Sequence, residues 1–114
     1  MAPPILLLVA AALAAPTRAE RQTVTIGVQL PLTGERAPVG RIIKNAVEMA
    51  IERVSAEGGP ALAAVFEDDR DQEAGAVAAV RRLVVDRKAP AIVGELFSPF
   101  VLASRPIFEE NKVP

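Results

Sequence analysis

Three short β-type segments, separated by intervals far too long for hairpins and filled by helical periodicity, restrict this chain more than any other feature. Thr23 to Leu30 alternates Val24, Ile26, Val28 and Leu30 with Thr23, Thr25, Gly27 and Gln29, and its β-branched residues favour a strand. Pro31-Leu32-Thr33-Gly34 breaks it and opens a loop that runs to about Pro38. From Val39 to Glu57, Ile42, Ile43, Ala46, Val47, Ala50, Ile51 and Val54 recur at three-and-four spacing, which predicts an amphipathic helix stopped by Gly58-Gly59-Pro60. Ala61 to Glu67 reads as a second strand covered on both faces, and Gln72 to Arg87 as a second helix burying Ala76, Val77, Val80, Leu83 and Val84. Between them, Asp69 with Gln72 three residues later has the form of a capping box. Pro90-Ala91-Ile92-Val93 makes a third strand ended by Gly94, and a last helix spans Ser98 to Asn111, disturbed by Pro99 and Pro106. The fold class is therefore α/β. The order β-α-β-α-β-α requires right-handed crossovers and parallel strands, the start of a doubly wound sheet with strand order 2-1-3.

The N-terminus sets the compartment. Ile5 to Ala15 is an unbroken apolar run of about eleven residues, short of the ~20 a spanning helix needs and within the range of a secretory signal peptide. Residues 1–19 are expected to be that signal peptide, cut after Thr17-Arg18-Ala19 or at the earlier Ala12-Leu13-Ala14, although Met1 to Pro4 carry no Lys or Arg. No Cys follows to accept a lipid anchor, so residues 20–114 are expected to form a soluble exported domain.

Composition narrows the chemistry. The chain has no Cys and no His, which removes thiolate and imidazole metal sites, disulfides and Cys- or His-dependent triads. Thirteen basic residues face 14 acidic ones, and aromatic content is 4% with no Trp or Tyr, so neither a basic nor a stacking nucleic-acid surface is present. No enzyme activity, metal or cofactor is expected. The acids Asp68, Asp69 and Asp71 admit a response-regulator-like or Mg²⁺ reading, but such acids belong around the first strand, and helix capping accounts for them better. A nucleotide site lacks its fingerprint, because Gly34 and Gly40 do not form G-x-G-x-x-G.

In an open α/β sheet the ligand crevice lies beyond the carboxyl ends of the strands where winding reverses, here between the first and third strands. The crevice loops are Pro31 to Gly40 and Glu95 to Pro99. Ser98 opens the last helix, so its hydroxyl and the neighbouring N–H groups suit a carboxylate, and they suit a helix cap equally well.

Thr25 to Gly34 (TIGVQLPLTG), Asn45 to Gly59 (NAVEMAIERVSAEGG), Glu67-Asp68-Asp69, Val93 to Ser98 (VGELFS) and Pro106 to Pro114 (PIFEENKVP) resemble, in order, the N-terminal lobe of the branched-chain amino acid binding proteins of ABC transporters. The resemblance implies a partial lobe of a two-lobed receptor that closes on an amino acid, or a related small amide or carboxylate, and presents it to a membrane permease. It implies that Ser98 binds the ligand carboxylate, that Phe97 lines the pocket, and that Val39 stands in the first loop where the family often has a bulky aromatic. Glu95 is read as a solvated or hinge-paired carboxylate that can also touch ligand. The same fold serves extracytoplasmic sensing, which the sequence does not separate from transport.

Overall fold

The computed structural model describes residues 22–94 and 96–114. The expectation of a signal peptide at 1–19 and the reading of Glu95 lie outside those residues.

Three strands, β1 (Val24–Leu30), β2 (Leu62–Asp68) and β3 (Ile92–Gly94), form a wholly parallel sheet in the order β2-β1-β3. The register runs from Val24 opposite Leu62 to Leu30 opposite Asp68, while β3 reaches β1 only from Gly27 to Gln29. Helix α1 (Ala37–Ala56) joins β1 to β2, α2 (Glu73–Arg81) joins β2 to β3, and α3 (Ser98–Asn111) follows β3. All three strands end on the same side, which gathers the β-to-α loops along one rim.

Element boundaries shift from the sequence reading for identifiable reasons. Helix α1 starts at Ala37 rather than Val39, because Pro38 sits in the first turn, where its missing N–H and fixed φ fit a helix start. That helix begins hard against the sheet. A Cβ on Gly40 would stand 1.8 Å from the Pro31 carbonyl oxygen, so only glycine lets the first turn approach the end of β1 this closely. Ile42, assigned to the apolar face, is 68% exposed, and the inward line of α1 is carried by Ile43, Val47, Ile51 and Val54.

Helix α2 does not continue as an α-helix to Arg87. From Arg82 to Asp86 it widens into a π turn, and Arg87 N donates to Arg82 O. Widening by one residue lets the neighbours Leu83 and Val84 both turn inward, where they are buried. The core there comprises Val80, Val84 and Ile107, with Val77, Ile92, Phe108 and Val113 packed around it. Helix α3 runs unbroken through Pro106, and the carbonyl of Leu102 that loses its helical donor belongs to an exposed residue.

The two faces of the sheet are unequally covered. On the α2 and α3 side, the residues above are closely packed. On the α1 side, Ile26, Ile43, Val47, Val54, Leu62 and Val93 border an open apolar trough of about 350 Å³. Among the described residues no helix is long and apolar enough to cross a membrane.

The π turn gives a direct check. Leu83→Ala empties a fully buried position and is expected to lower stability by about 2–5 kcal/mol in urea unfolding. Val85→Ala, in the same turn but 43% exposed, should change it by no more than about 0.5 kcal/mol. Equal effects would contradict the inward turn of Leu83.

Candidate functional site: the strand-end rim

The rim is organised by the three acids after β2, and each does something other than cap a helix. Helix α2 has Gln72 at its N-cap and no side chain bonded to its free N–H groups. The expected capping box at Asp69 is thus absent. Asp68 instead reaches across to the loop after β1. Its Oδ1 accepts from Leu32 N at 2.9 Å and Thr33 N at 3.2 Å, its Oδ2 from Thr33 Oγ1 at 2.6 Å, and Oδ1 also accepts from Arg70 N at 2.8 Å.

Asp69 turns inward and is buried at 1% exposure. It accepts from Asp71 N at 2.7 Å and from the side-chain amide of Gln29, which is itself fully buried on β1. Gln29 Oε1 has no partner. Gln29 falls on the opposite side of β1 from Val28 and Leu30. Because β1 is the central strand, that side lies under α2 and the amide needs a buried partner.

Asp71 binds the other way, toward α1. Its Oδ2 accepts from Arg36 N at 3.1 Å, and its Oδ1 from Arg36 Nη1 at 2.7 Å. To do this, Arg70 and Asp71 both adopt left-handed backbone, with φ of 56° and 57°. Such geometry costs about 1–3 kcal/mol per residue and persists only where neighbours enforce it. Here the carboxylates of Asp68 and Asp69 hold the N–H groups of Arg70 and Asp71. Opposite them Gly34 takes φ 89°, and a Cβ there would lie 2.8 Å from Asp71 Cβ.

The three acids therefore point to three different places and do not converge. Among the described residues no group of three or more acidic side chains could hold a metal ion.

The third loop joins through Arg36. Its guanidinium carbon lies 4.0 Å from the centroid of the Phe97 ring, and Phe97 meets Phe100 edge-on with centroids 5.5 Å apart. The loops after β1, β2 and β3 are thereby linked in the sequence Asp71, Arg36, Phe97. Sequence spacing offered no sign of Arg36, because nothing local reports a contact between the first loop and the third.

Phe97, half-buried, is the N-cap residue of α3, and no side-chain hydrogen bond caps the helix. Ser98, the first helical residue, is exposed, and its hydroxyl is not used as a cap. Val39 is 48% exposed and lies in the first turn of α1, as the helical spacing from Val39 onward predicts, and not in the loop where the resemblance set it. Ser98 and Phe97 stand at the carboxyl end of β3, and Val39 stands beyond the carboxyl end of β1. Arg36 over Phe97 brings these two regions into contact.

Titration distinguishes the acids. Burial is the largest influence on Asp69 and raises its pKa above the ordinary 3.8, and the bonds from Asp71 N and Gln29 oppose it only in part. Burial also acts on Asp68, but the Thr33 hydroxyl and the N–H groups of Arg70, Leu32 and Thr33 together outweigh it and leave its pKa lowered. A raised carboxyl stabilises the fold below its unfolded pKa and loses that contribution as pH rises through the folded value. A lowered one does the reverse. Asp69→Asn cannot ionise, and its amide can offer Gln29 a donor. It is expected to shift the urea midpoint upward at about pH 7 and to show no such gain at about pH 3. Asp68→Asn should weaken the protein near neutrality, with the deficit closing as pH falls through the lowered value. A gain for Asp69→Asn that is the same at both pH values would refute a burial-raised acid.

A family profile described as "Periplasmic binding protein" matches residues 23–114. A leucine binding protein of Thermotoga maritima is 37% identical, with a TM-score of 0.72, over 80% of this chain and 26% of that one. A branched-chain amino acid transporter substrate binding protein of Streptococcus pneumoniae, solved in complex with isoleucine, is 25% identical with a TM-score of 0.76, over 82% of this chain and 28% of that one. A solute binding protein of an ABC transporter from R. palustris, solved with 4-hydroxybenzoate, is 30% identical with a TM-score of 0.67, over 82% and 26%. The chain thus spans about a quarter of the length of these solved proteins. No curated protein sequence matches it.

Proposed function

The chain belongs to the periplasmic binding protein family, and from that premise we propose that it supplies the N-terminal lobe's share of a ligand cleft in an extracytoplasmic solute receptor of an ABC transporter. The ligand is a branched-chain amino acid or a related small carboxylate or amide. The observation that carries this reading is the position of Ser98. It opens α3 at the carboxyl end of β3, with its hydroxyl exposed and unused as a cap, while the first loop is brought alongside through Arg36 and Phe97.

In this role Ser98 Oγ donates to the ligand carboxylate. The N–H of Ser98 itself and the positive end of the α3 dipole favour the same charge, while Pro99 has no N–H and those of Phe100 and Val101 are taken by the Phe97 carbonyl. Phe97 lines the adjoining wall, and Val39, projecting from the first turn of α1, contacts the ligand side chain. An aliphatic group there leaves more room than an aromatic one, which suits a bulkier ligand. The isoleucine and 4-hydroxybenzoate bound by two similar proteins share a carboxylate and differ in the rest, as this division of labour requires.

The chain contributes no reaction chemistry. It binds, and a second lobe completes the cleft by closing over the ligand and presenting it to a membrane permease. Export through the apolar leader at 1–19 would deliver the mature chain to the periplasm.

A ligand that binds only the folded state raises the melting temperature by mass action. Thermal shift of the complete polypeptide against leucine, valine, small amides and aromatic acids is expected to give at least one carboxylate ligand. Ser98→Ala should then weaken that ligand roughly tenfold or more, the loss expected for one hydrogen bond to a charged group of ~1.5–3 kcal/mol. Undiminished affinity in Ser98→Ala would rule out the assignment.

A further inference from the structure

We propose that Arg36 is a ligand-contacting, specificity-determining residue that makes this receptor select carboxylates over the matching uncharged amides, an inference that rests on the cleft reading above. Arg36 stands immediately before α1, on the first crevice loop, and its guanidinium covers the ring of Phe97, the residue next to Ser98.

The group is held ready for the contact. Asp71 takes Nη1 at 2.7 Å and also binds the Arg36 backbone N–H, while the Phe97 ring packs against the guanidinium 4.0 Å from its central carbon. Asp71 itself is only 11% exposed along its side chain, whereas that of Arg36 is 48% exposed. The carboxylate is thus the buried anchor and the guanidinium the presented surface. Guanidinium carries five N–H donors in a rigid fork that matches the two oxygens of a carboxylate. Of these, only Nη1 meets an acceptor among the described residues.

The pairing with Asp71 nearly balances the local charge, so Arg36 acts chiefly through directed donors rather than long-range attraction. A carboxylate can accept two parallel N–H bonds from such a fork, but an amide offers one oxygen and a competing NH₂ group. The two left-handed residues Arg70 and Asp71 fit this role, since strained backbone that is held in place by its neighbours gathers at binding sites. Lys44, the other cation over an aromatic ring, lies 5.0 Å from the Phe66 centroid, where Phe66 borders the α1 face of β2 with Glu48 and Ile51. It serves to pack α1 and takes no part in the cleft.

The test uses carboxylate–amide pairs, benzoate with benzamide and leucine with leucinamide, on the complete polypeptide, by calorimetry or thermal shift. In Arg36→Met the carboxylate of the pair that binds should lose about tenfold in affinity while its amide changes less than about twofold, consistent with a charge-assisted bond. Equal losses for acid and amide would reduce Arg36 to a structural clamp and overturn the inference. If Arg36→Met does not fold, Arg36→Lys replaces it. Lysine keeps the Asp71 pair but lacks the fork, so the carboxylate preference should still drop several-fold, and an unchanged preference would be equally fatal. A carboxylate that binds the unsubstituted protein and loses affinity in Ser98→Ala but not in Arg36→Met sinks this inference alone. Failure of the unsubstituted protein to bind any carboxylate among these probes and the wider panel of valine and other aromatic acids sinks the cleft reading with it.

Discussion

Four donors meeting one carboxylate, that of Asp68, hold the strand-end rim in shape. Parallel strands leave their final peptide groups, and the first ones of each following loop, without ladder partners, and at this rim three such loops crowd together. Asp68 satisfies two N–H groups of the loop after β1 and one of its own loop, so it fixes the position of the first loop relative to β2. With the first loop fixed, Gly40 can seat α1 against Pro31, and Arg36 falls between Asp71 and Phe97. Energetically each of these contacts is modest. An ion pair with one exposed partner, such as Arg36 with Asp71, gains little over the ~0–1 kcal/mol of a surface pair. Their weight is geometric, because they set where Ser98 stands with respect to the first loop.

The architecture was legible because periodicity reports it directly. Alternation around Val24 to Leu30, three-and-four spacing from Ile43 to Val54, and the apolar stretches at Val65 and Ile92 each carry their own element, and the length of the connections compels parallel pairing. Strand order followed from the same rule that places the crevice. The errors fell where a residue's role depends on something distant in sequence. Alternation marks Gln29 as polar but does not say that both faces of the central strand are covered, and its burial was not legible there. The Asp68 to Asp71 run resembled a helix cap because capping is the local use of aspartate, whereas these carboxylates serve other loops. The π turn was invisible, since α and π spacing differ by a single residue over one turn.

Of the candidate residues, Ser98 was singled out by its place at the start of the last helix and by the family resemblance, Phe97 by the resemblance alone, and both stand at the carboxyl end of β3. Arg36 was not. A cation stacked on an aromatic ring across two loops has no signature in spacing, and the sequence around it, Gly34-Glu35-Arg36-Ala37-Pro38, advertises only a helix start. The same blindness applies to the trough beside α1, whose apolar lining is plain from the sequence while its openness is not.

The π turn also has a bearing on chain length. A helix advances about 100° per residue, so one residue more or fewer between Val80 and Ala89 would rotate everything after it and pull β3 out of register with β1. Opening a single ring at Arg82 to Asp86 takes up the extra residue on the spot, and Ala89 still returns its N–H to Leu83 O at 3.0 Å. Insertions and deletions between homologous lobes should therefore accumulate at this bend, where they leave the third strand and the cleft it points to undisturbed.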